Sequence, residues 1–480
     1  MYDNGRVRRW LFTFLVVRGA VFAQLEAPRT WDAAEVQRFE VPLANPKYSP
    51  VHISEETYYR IPARTIYKSY AVYQPKREPE GYQQWLANRE PEIAFDSSKL
   101  RTKEDWIAAG EIVFQAGTSF GPVLFGAAEV RNPEFYDQTG MPVAKDGTIP
   151  FARWVIRKKG TVELASMGCS TCHVRVMADG TVIPGAQGNN PGDRQGAWML
   201  ERAAKFAGSE KILERMRGFA RQFEMPWVPD DPNRAYRTMT LEQMLEAGRK
   251  VPPGVNVRSN TSLLYPPQIP DLIGVGERHY LDHTGLVHQR TIADLMRYSS
   301  LVQDILSMSV YGGEEPPKVD VSKRVRYSDE QLYALALYLY SLRPPSNPNP
   351  FDETAAAGKK IFAREQCGSC HTAPLYTNNK LVPVDGFTPP VDHKRRYAIA
   401  EKRVGTDPRY ALYSRKGTGY YKVPSLKGVW YRGPFEHNGR AATLEEWFDA
   451  KRLAATPGHR FGLELAPEEK TALIAFLRTL

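Results

Sequence analysis

Helical spacing of apolar residues is clearest in three stretches of the chain. The first runs from Trp106 to Phe114 and follows the cap-like segment Thr102 to Asp105. A threonine with an acidic residue three positions later is a signal for the start of a helix. The other two stretches are amphipathic, run from Asp329 to Leu342 and from Pro467 to Leu480, and carry acidic residues in their first turn. The pattern predicts a helix in each place.

Two segments lack this spacing. From Leu25 to about Arg89 the sequence is rich in proline and tyrosine, and its aromatic content is too high for a free linker. We therefore predict an extended arm that packs on the rest of the protein. Pro344 to Pro350 holds four prolines in seven residues and can continue neither helix nor strand. The predicted units are an arm at residues 24–90 and two domains at 91–345 and 346–480.

The two domains repeat each other. Ala108 to Phe114 matches Ala356 to Phe362, and the segment from Pro270 to Val275 matches the segment from Pro424 to Val429. Each proline is followed at the same offsets by a histidine and a glycine, namely His283 and Gly285 in the first domain and His437 and Gly439 in the second. The repeat predicts a mainly α fold class, with two tandem domains of one kind and long loops.

The cysteines carry the chemistry, because all four fall in two Cys-x-x-Cys-His motifs. Two thiols on one helical turn can each add across a haem vinyl group while the adjacent histidine binds the iron. A zinc site would need two more ligands near each pair, and a thioredoxin-like pair would not need the histidine. We therefore predict two covalently bound haem c groups in two cytochrome c-like domains. Their attachment and iron-binding residues are Cys169, Cys172 and His173 in the first domain and Cys367, Cys370 and His371 in the second.

The second strong ligand of each iron decides between electron transfer and chemistry at an open position. No methionine follows His371, so the candidates in the second domain are His393, His437 and His459. His459 lies on the loop just before the last helix, where a cytochrome c-like domain usually places this ligand. His437 is either a ligand or a hydrogen-bond partner of one.

The first domain offers no equally placed ligand. Three histidines and two methionines are available there: His279, His283, His288, Met296 and Met308. Methionines at helical spacing are more often core residues than ligands. We infer that the first haem is the open or weakly ligated one, with His283 as the residue that could close it.

The N-terminus bears on the compartment. Arg6, Arg8 and Arg9 precede an apolar run from Trp10 to Val17, and Val21 to Ala23 offers small residues for cleavage. This layout predicts a secretory signal peptide over residues 1–23. No other stretch is long and apolar enough to span a membrane. We expect a periplasmic or secreted protein with no membrane span in the mature chain.

Composition and charge exclude little but indicate a partner. The apolar fraction of 42% is that of a globular protein, and the formal net charge is +10. Part of that charge lies in the predicted signal peptide, and haem propionates would offset more of it. A basic surface can steer an acidic redox partner, so we expect a small redox protein or another electron donor. No nucleic-acid motif is present, and a nucleic-acid partner is not expected.

Beyond the two attachment motifs and the repeat, Val423 to Val429 and Gly433 to Leu444 resemble the bacterial di-haem cytochrome c peroxidase superfamily. That superfamily includes quinone-cofactor maturation enzymes and rubber oxygenases. The resemblance covers about Leu100 to Leu480 and implies that the second haem relays electrons while the first meets the oxidant. Many such peroxidases carry a methionine ligand in the second domain and a distal glutamate in the first. This chain has neither, since Asp304 is the only acidic residue from Ser299 to Val310.

The sequence thus predicts an exported di-haem oxidoreductase of the peroxidase or oxygenase type, in which peroxide or oxygen reacts at the first haem. Its catalytic residues stay unassigned. The alternative is a non-enzymatic di-haem electron-transfer cytochrome with two six-coordinate irons, and a sensor or structural cytochrome is a third class. Carbon monoxide separates the first two, because it binds only where an iron has an open position.

Overall fold

A computed structural model describes residues 26–120, 125–221, 224–228, 231–256, 266–313, 315–455 and 457–480. The predicted signal peptide lies outside these residues, and so does the side chain of Asp304. The described residues form α-helices that we number α1 to α16: Ala33–Val36, Glu55–Arg60, Tyr82–Ala87, Lys103–Gln115, Pro133–Thr139, Cys169–Cys172, Gly192–Ala207, Ser209–Arg221, Leu241–Lys250, Ile292–Met308, Asp329–Ser341, Glu353–Arg364, His393–Arg396, Arg409–Leu412, Leu444–Trp447 and Pro467–Arg478.

The strands are short and form small sheets. They are numbered β1 to β11: Pro50–His52, Ser69–Tyr70, Arg153–Lys158, Thr161–Ala165, Val174–Val176, Val182–Pro184, Tyr280–Leu281, Val287–His288, Ser309–Tyr311, Leu381–Pro383 and Tyr420–Lys422. The antiparallel pairs are β1 with β9, β2 with β3, β3 with β4, β5 with β6, β7 with β8, and β10 with β11. The described residues therefore combine helices, many of them short, with small antiparallel strand pairs.

The predicted helices form where the sequence places them. Thr102 caps α4 reciprocally with Asp105, because each side chain accepts from the backbone of the other residue. Ser328 and Gln331 make the same arrangement at the start of α11. The last predicted helix is α16, which begins at Pro467. The three helix predictions are confirmed, with ends that differ by a few residues from the sequence pattern.

Two helix pairs form the frame of the molecule. Helix α4 packs on α11, and α12 packs on α16. Each crossing is made at a glycine of the repeat, where the helix backbones approach closely. A Cβ built on Gly110 would lie 2.0 Å from the carbonyl oxygen of Ala334, and one built on Gly358 would lie 1.9 Å from that of Ala472. The repeat is therefore visible in the packing, since its matched glycines make matched contacts.

The close crossing predicts a large response to one added methyl group. Gly358→Ala should lower the free energy of unfolding by roughly 1–3 kcal/mol, because the helices must separate to admit the Cβ. Gly196→Ala in α7 is the control, since a Cβ there meets nothing within 4 Å. That variant should gain about 0.4–1 kcal/mol. Urea unfolding of both variants measures the difference, and equal midpoints would contradict the crossing.

The arm packs along the first half of the chain. Its helices α1 to α3 are only four to six residues long, and β1 and β2 connect it to the rest of the fold. Trp31 is fully buried, stacks on Tyr58 with ring centroids 4.5 Å apart, and donates its indole N–H to the carbonyl of Ile53. His52 lies between Ser309 Oγ at 2.8 Å and Glu40 Oε2 at 3.2 Å. The arm thus holds the segment that follows α10.

No helix among the described residues is both long enough and apolar enough to cross a bilayer.

Candidate functional site

The second attachment motif forms a tight turn directly after α12. Residues Cys367–Ser369 are a 3-10 turn, and the backbone N–H of His371 donates to the carbonyl of Cys367 at 2.9 Å. The ring Nδ1 of His371 lies 3.2 Å from the carbonyls of Pro424 and Tyr376. A carbonyl only accepts, so Nδ1 carries the proton and Nε2 has a free lone pair. This is the tautomer that a metal-binding histidine requires.

His459 faces His371 across a cavity, which we call the second cavity. Both rings line that cavity, and their centroids are 6.4 Å apart. The His459 ring is held between Trp447 and Phe461, and its backbone N–H donates to the carbonyl of Val404 at 2.7 Å. Its Nδ1 is buried without a hydrogen-bond partner among the described residues.

This spacing fits a haem iron between the two imidazoles. An imidazole nitrogen binds a metal at about 2.0–2.1 Å and its ring centroid lies ~1.1 Å further back, so two rings on opposite sides of one iron need roughly 6.3 Å. Cys367 and Cys370 line the same cavity. The residues that sequence analysis assigned to the second haem are therefore brought together, and their role as ligands stays a prediction.

The first attachment motif is a one-turn helix. Cys169–Cys172 forms α6, and the backbone N–H of His173 donates to the carbonyl of Cys169 at 2.9 Å. Thr171 anchors the turn, since its hydroxyl donates to the carbonyl of Phe151 at 3.0 Å. The Nδ1 of His173 lies 3.0 Å from the carbonyl of Pro270. His173 therefore also carries its ring proton on Nδ1, as a metal-binding histidine requires.

The two sites are built in the same way from repeated residues. Pro270 and Pro424 hold the same position in the repeat, and each carbonyl accepts from the histidine of its own attachment motif. The two turns differ at one position, where the buried Thr171 of the first is replaced by the exposed Ser369 of the second. The sequence match between these prolines therefore carries a structural role, which is to fix the tautomer of the adjacent histidine.

The halves also exchange backbone hydrogen bonds near these prolines. Gln268 donates its N–H to the carbonyl of His437 at 2.7 Å, and Lys422 donates its N–H to the carbonyl of His283 at 2.9 Å. Gln268 and Lys422 each precede the repeat proline by two residues. The two histidines also hold matched positions in the repeat. Each half therefore donates a backbone N–H from the same repeat position to the carbonyl of the matched histidine in the other half.

His283 and His437 lie between the two attachment sites and line the second cavity. The Nε2 of His283 donates to the carbonyl of Gln268 at 2.7 Å. Tyr421 donates its only proton to the carbonyl of Asp407, so the Nε2 of His437, 3.1 Å away, donates to the Tyr421 oxygen. Burial lowers the pKa of His283 to about 4 and that of His437 to about 3. Both rings are neutral at pH 7, with Nε2 already engaged, which favours the hydrogen-bonding role for His437.

Three cationic side chains that sequence analysis did not single out also line the second cavity: Arg278, Lys422 and Arg432. Burial lowers the pKa of Arg278, and it lowers that of Lys422 to about 7. The Nε of Arg432 is buried with no hydrogen-bond partner among the described residues. Cations held in this way fit the carboxylates of a haem. The sequence feature that could have identified Lys422 is the repeat, in which it occupies the position of Gln268.

The remaining candidates lie away from the facing pair. His393 is buried, and its Nδ1 contacts the hydroxyl of Tyr420 at 3.0 Å. His288 stacks on Tyr280 with ring centroids 5.1 Å apart. His279 is exposed. Met296 and Met308 are buried in the core of the first half. None of these five residues lines the second cavity, and His393 is used by a hydrogen bond instead.

Each Cys-x-x-Cys-His motif forms a tight turn whose histidine Nδ1 is held by a backbone carbonyl. No family model matches the chain. It is similar to cytochrome-c peroxidase IdrP1 of Pseudomonas sp. (strain SCT), with 28% identity over 34% of this chain and 54% of that protein. The IdrP1 protein of Denitromonas iodatirespirans is 26% identical over 31% of this chain and 49% of its own. The chain thus spans about half the length of these curated relatives. They confirm the resemblance to the di-haem cytochrome c peroxidase superfamily.

Two solved structures are also similar to the chain. Hydrazine synthase of Kuenenia stuttgartiensis covers 56% of this chain and 87% of its own at 17% identity, with a TM-score of 0.31. A MauG-like protein associated with microbial copper homeostasis covers 45% of this chain and 73% of its own at 17% identity, with a TM-score of 0.29. At these TM-scores the two structures add no support for a shared fold.

Proposed function

We propose that the chain is an exported di-haem c-type cytochrome oxidoreductase of the peroxidase or oxygenase type. Each helix pair, α4 with α11 and α12 with α16, frames one cytochrome c-like domain, and each domain attaches one haem through its two cysteines. Peroxide or oxygen reacts at the first site, and electrons pass through the second. The natural electron donor is a small redox protein that docks on the basic surface.

The difference between the two halves carries this proposal. In the second half, His371 and His459 face each other at the spacing that one iron between them requires. In the first half, the loop before the final helix, Met308 to Tyr327, contains no histidine. Two strong ligands favour electron transfer, whereas an open position admits an oxidant. The halves are therefore suited to different tasks.

The residues of the chain would act mainly by orienting the iron-binding histidines and by surrounding the haem. His173 and His371 present Nε2 because the repeat prolines hold their Nδ1 protons. Trp447 and Phe461 pack against the ring of His459 and hold its orientation. The buried cations of the second cavity favour the reduced, electron-rich state of a nearby redox centre. A haem bound there supplies the reversible one-electron chemistry that side chains lack.

Carbon monoxide titration tests the division between the halves. The ferrous protein, matured with haem, should bind about one carbon monoxide per two haems, because only the first iron has an open position. The titration is followed by the visible absorption of the complex, on fully reduced and on half-reduced protein. Both states are needed because the first iron can be closed in one of them and open in the other.

A protein that binds no carbon monoxide in either state would contradict the enzymatic proposal. Both irons would then be six-coordinate, and the chain would be an electron-transfer cytochrome. Two carbon monoxide molecules per chain would contradict the assignment of His459 instead. The low-temperature electron paramagnetic resonance spectrum of the ferric protein gives an independent reading, since one high-spin and one low-spin haem are expected.

A further inference from the structure

A buried tyrosine lies at the end of the first-half loop that lacks a histidine. Tyr327 is 2% exposed and stands directly before the cap of α11. Its hydroxyl is buried and has no hydrogen-bond partner among the described residues. A buried hydroxyl without a partner is costly and uncommon in a complete structure. The hydroxyl therefore indicates that something else occupies the space in front of it.

Contacts link the Tyr327 ring to the first attachment motif. Arg64, whose guanidinium lies over this ring, donates to the carbonyl of Thr118, and the Thr118 hydroxyl donates to the carbonyl of Met167 at 2.7 Å. The ring belongs to the core cluster on which the side chain of Cys169 packs. Met167 stands two residues before Cys169, so Tyr327 is connected through Arg64 and Thr118 to the turn at which the first haem would be attached.

The arm holds this tyrosine in place. The guanidinium of Arg64 lies 5.5 Å from the centroid of the Tyr327 ring and donates to the carbonyl of Thr118 at 3.0 Å. The backbone of Arg64 donates to the carbonyl of Arg326 at 2.7 Å, and Arg326 donates to the carbonyl of Pro62 at 3.0 Å. These bonds fix the loop on both sides of the ring. The hydroxyl is thus preorganised and cannot easily turn to another partner.

We propose that Tyr327 belongs to the first haem site, where its hydroxyl donates the hydrogen bond that it lacks elsewhere to a small ligand such as peroxide or oxygen. This assignment rests on the proposed function. It gives the first half a polar group on the loop where the second half carries His459. A hydrogen-bond donor there stabilises negative charge that develops on a bound oxidant. Tyr327 would then be a catalytic residue that sequence reasoning did not identify.

Tyr327→Phe tests the proposal on the full chain loaded with both haems. Phenylalanine keeps the ring under Arg64 and removes only the hydroxyl. The measurement is the infrared C–O stretching band of carbon monoxide bound to the ferrous protein. Loss of a hydrogen-bond donor weakens π back-donation from the iron into the C–O antibonding orbital. The C–O bond is then stronger, so the band should shift to higher frequency. Peroxide turnover should fall with it.

Tyr397→Phe is the matched control. Tyr397 is 6% exposed, its hydroxyl also has no partner among the described residues, and it does not line the second cavity. Its variant should give the wild-type band. Coinciding bands for wild type and Tyr327→Phe, or equal shifts in both variants, would overturn the proposal.

The two proposals fail in different ways. If carbon monoxide binds only after Tyr327→Phe, the tyrosine belongs to the site but closes it, and the open-iron proposal falls. If wild type binds carbon monoxide and the Tyr327→Phe band is unchanged, only the role of Tyr327 falls. If neither protein binds carbon monoxide and their ferric electron paramagnetic resonance spectra agree, both fall.

Discussion

Replacing Cys169 and Cys172 with alanine should remove one of two haems and abolish both carbon monoxide binding and turnover. The cysteines are the only covalent anchors available in the first half, since the chain has four cysteines in two motifs. Without thioethers the histidine alone holds haem weakly. Mass spectrometry of the intact protein counts the haems, and a peroxide-dependent oxidation assay measures turnover.

The reciprocal variant, with Cys367 and Cys370 replaced by alanine, is the matched control. It should also lose one haem, but it should keep carbon monoxide binding at the first site. Turnover should fall because electrons no longer reach that site. A wild-type protein with one haem, or with zinc, would refute the attachment assignment. If carbon monoxide still binds after loss of the first motif, the open iron belongs to the second half and the two roles are reversed.

His459→Ala should convert one low-spin ferric haem to high spin and raise carbon monoxide binding to about two per chain. The reason is geometric, because His459 is the ring that faces His371 at 6.4 Å. Electron paramagnetic resonance reads the spin state, and optical titration counts the bound carbon monoxide. Haem content should not change, since the thioethers and His371 stay in place.

Two other histidines of the second half serve as controls. His437→Ala removes a ring that donates to Tyr421, and His393→Ala removes one that contacts Tyr420. Both variants should keep the low-spin signal, although each loses a buried hydrogen bond. If His437→Ala gives the high-spin signal and His459→Ala does not, the ligand has been assigned to the wrong loop.

Local signals made much of the frame predictable. The caps at Thr102 and Ser328 act within one helical turn, so the sequence alone specifies where α4 and α11 begin. The repeat also carries information about packing, because Gly110 and Gly358 hold matched positions in it and each makes a close helix crossing. Local capping interactions and internal repeats are the features that can be recognised in a single sequence.

Pairings between segments that lie far apart in the chain could not be predicted from the sequence. Nothing near His52 indicates that its strand pairs with Ser309–Tyr311, since the two segments lie far apart in the chain. The arm was expected to be extended, yet short helices interrupt it. Arg278 and Arg432, which line the second cavity, look like ordinary surface residues in the sequence. Their burial depends on how loops from both halves meet, which single-sequence patterns do not encode.

The exchange between Gln268 and His437 and between Lys422 and His283 is reciprocal. In a homodimer with a two-fold axis, a residue of one subunit contacts a second residue of its partner, and the reverse contact is made as well. The same rule holds here inside a single chain, across repeat-related positions. The contact between the two repeat-related segments is therefore self-complementary, as an isologous interface is. A substitution that weakens one of the two bonds leaves its repeat-related counterpart in place.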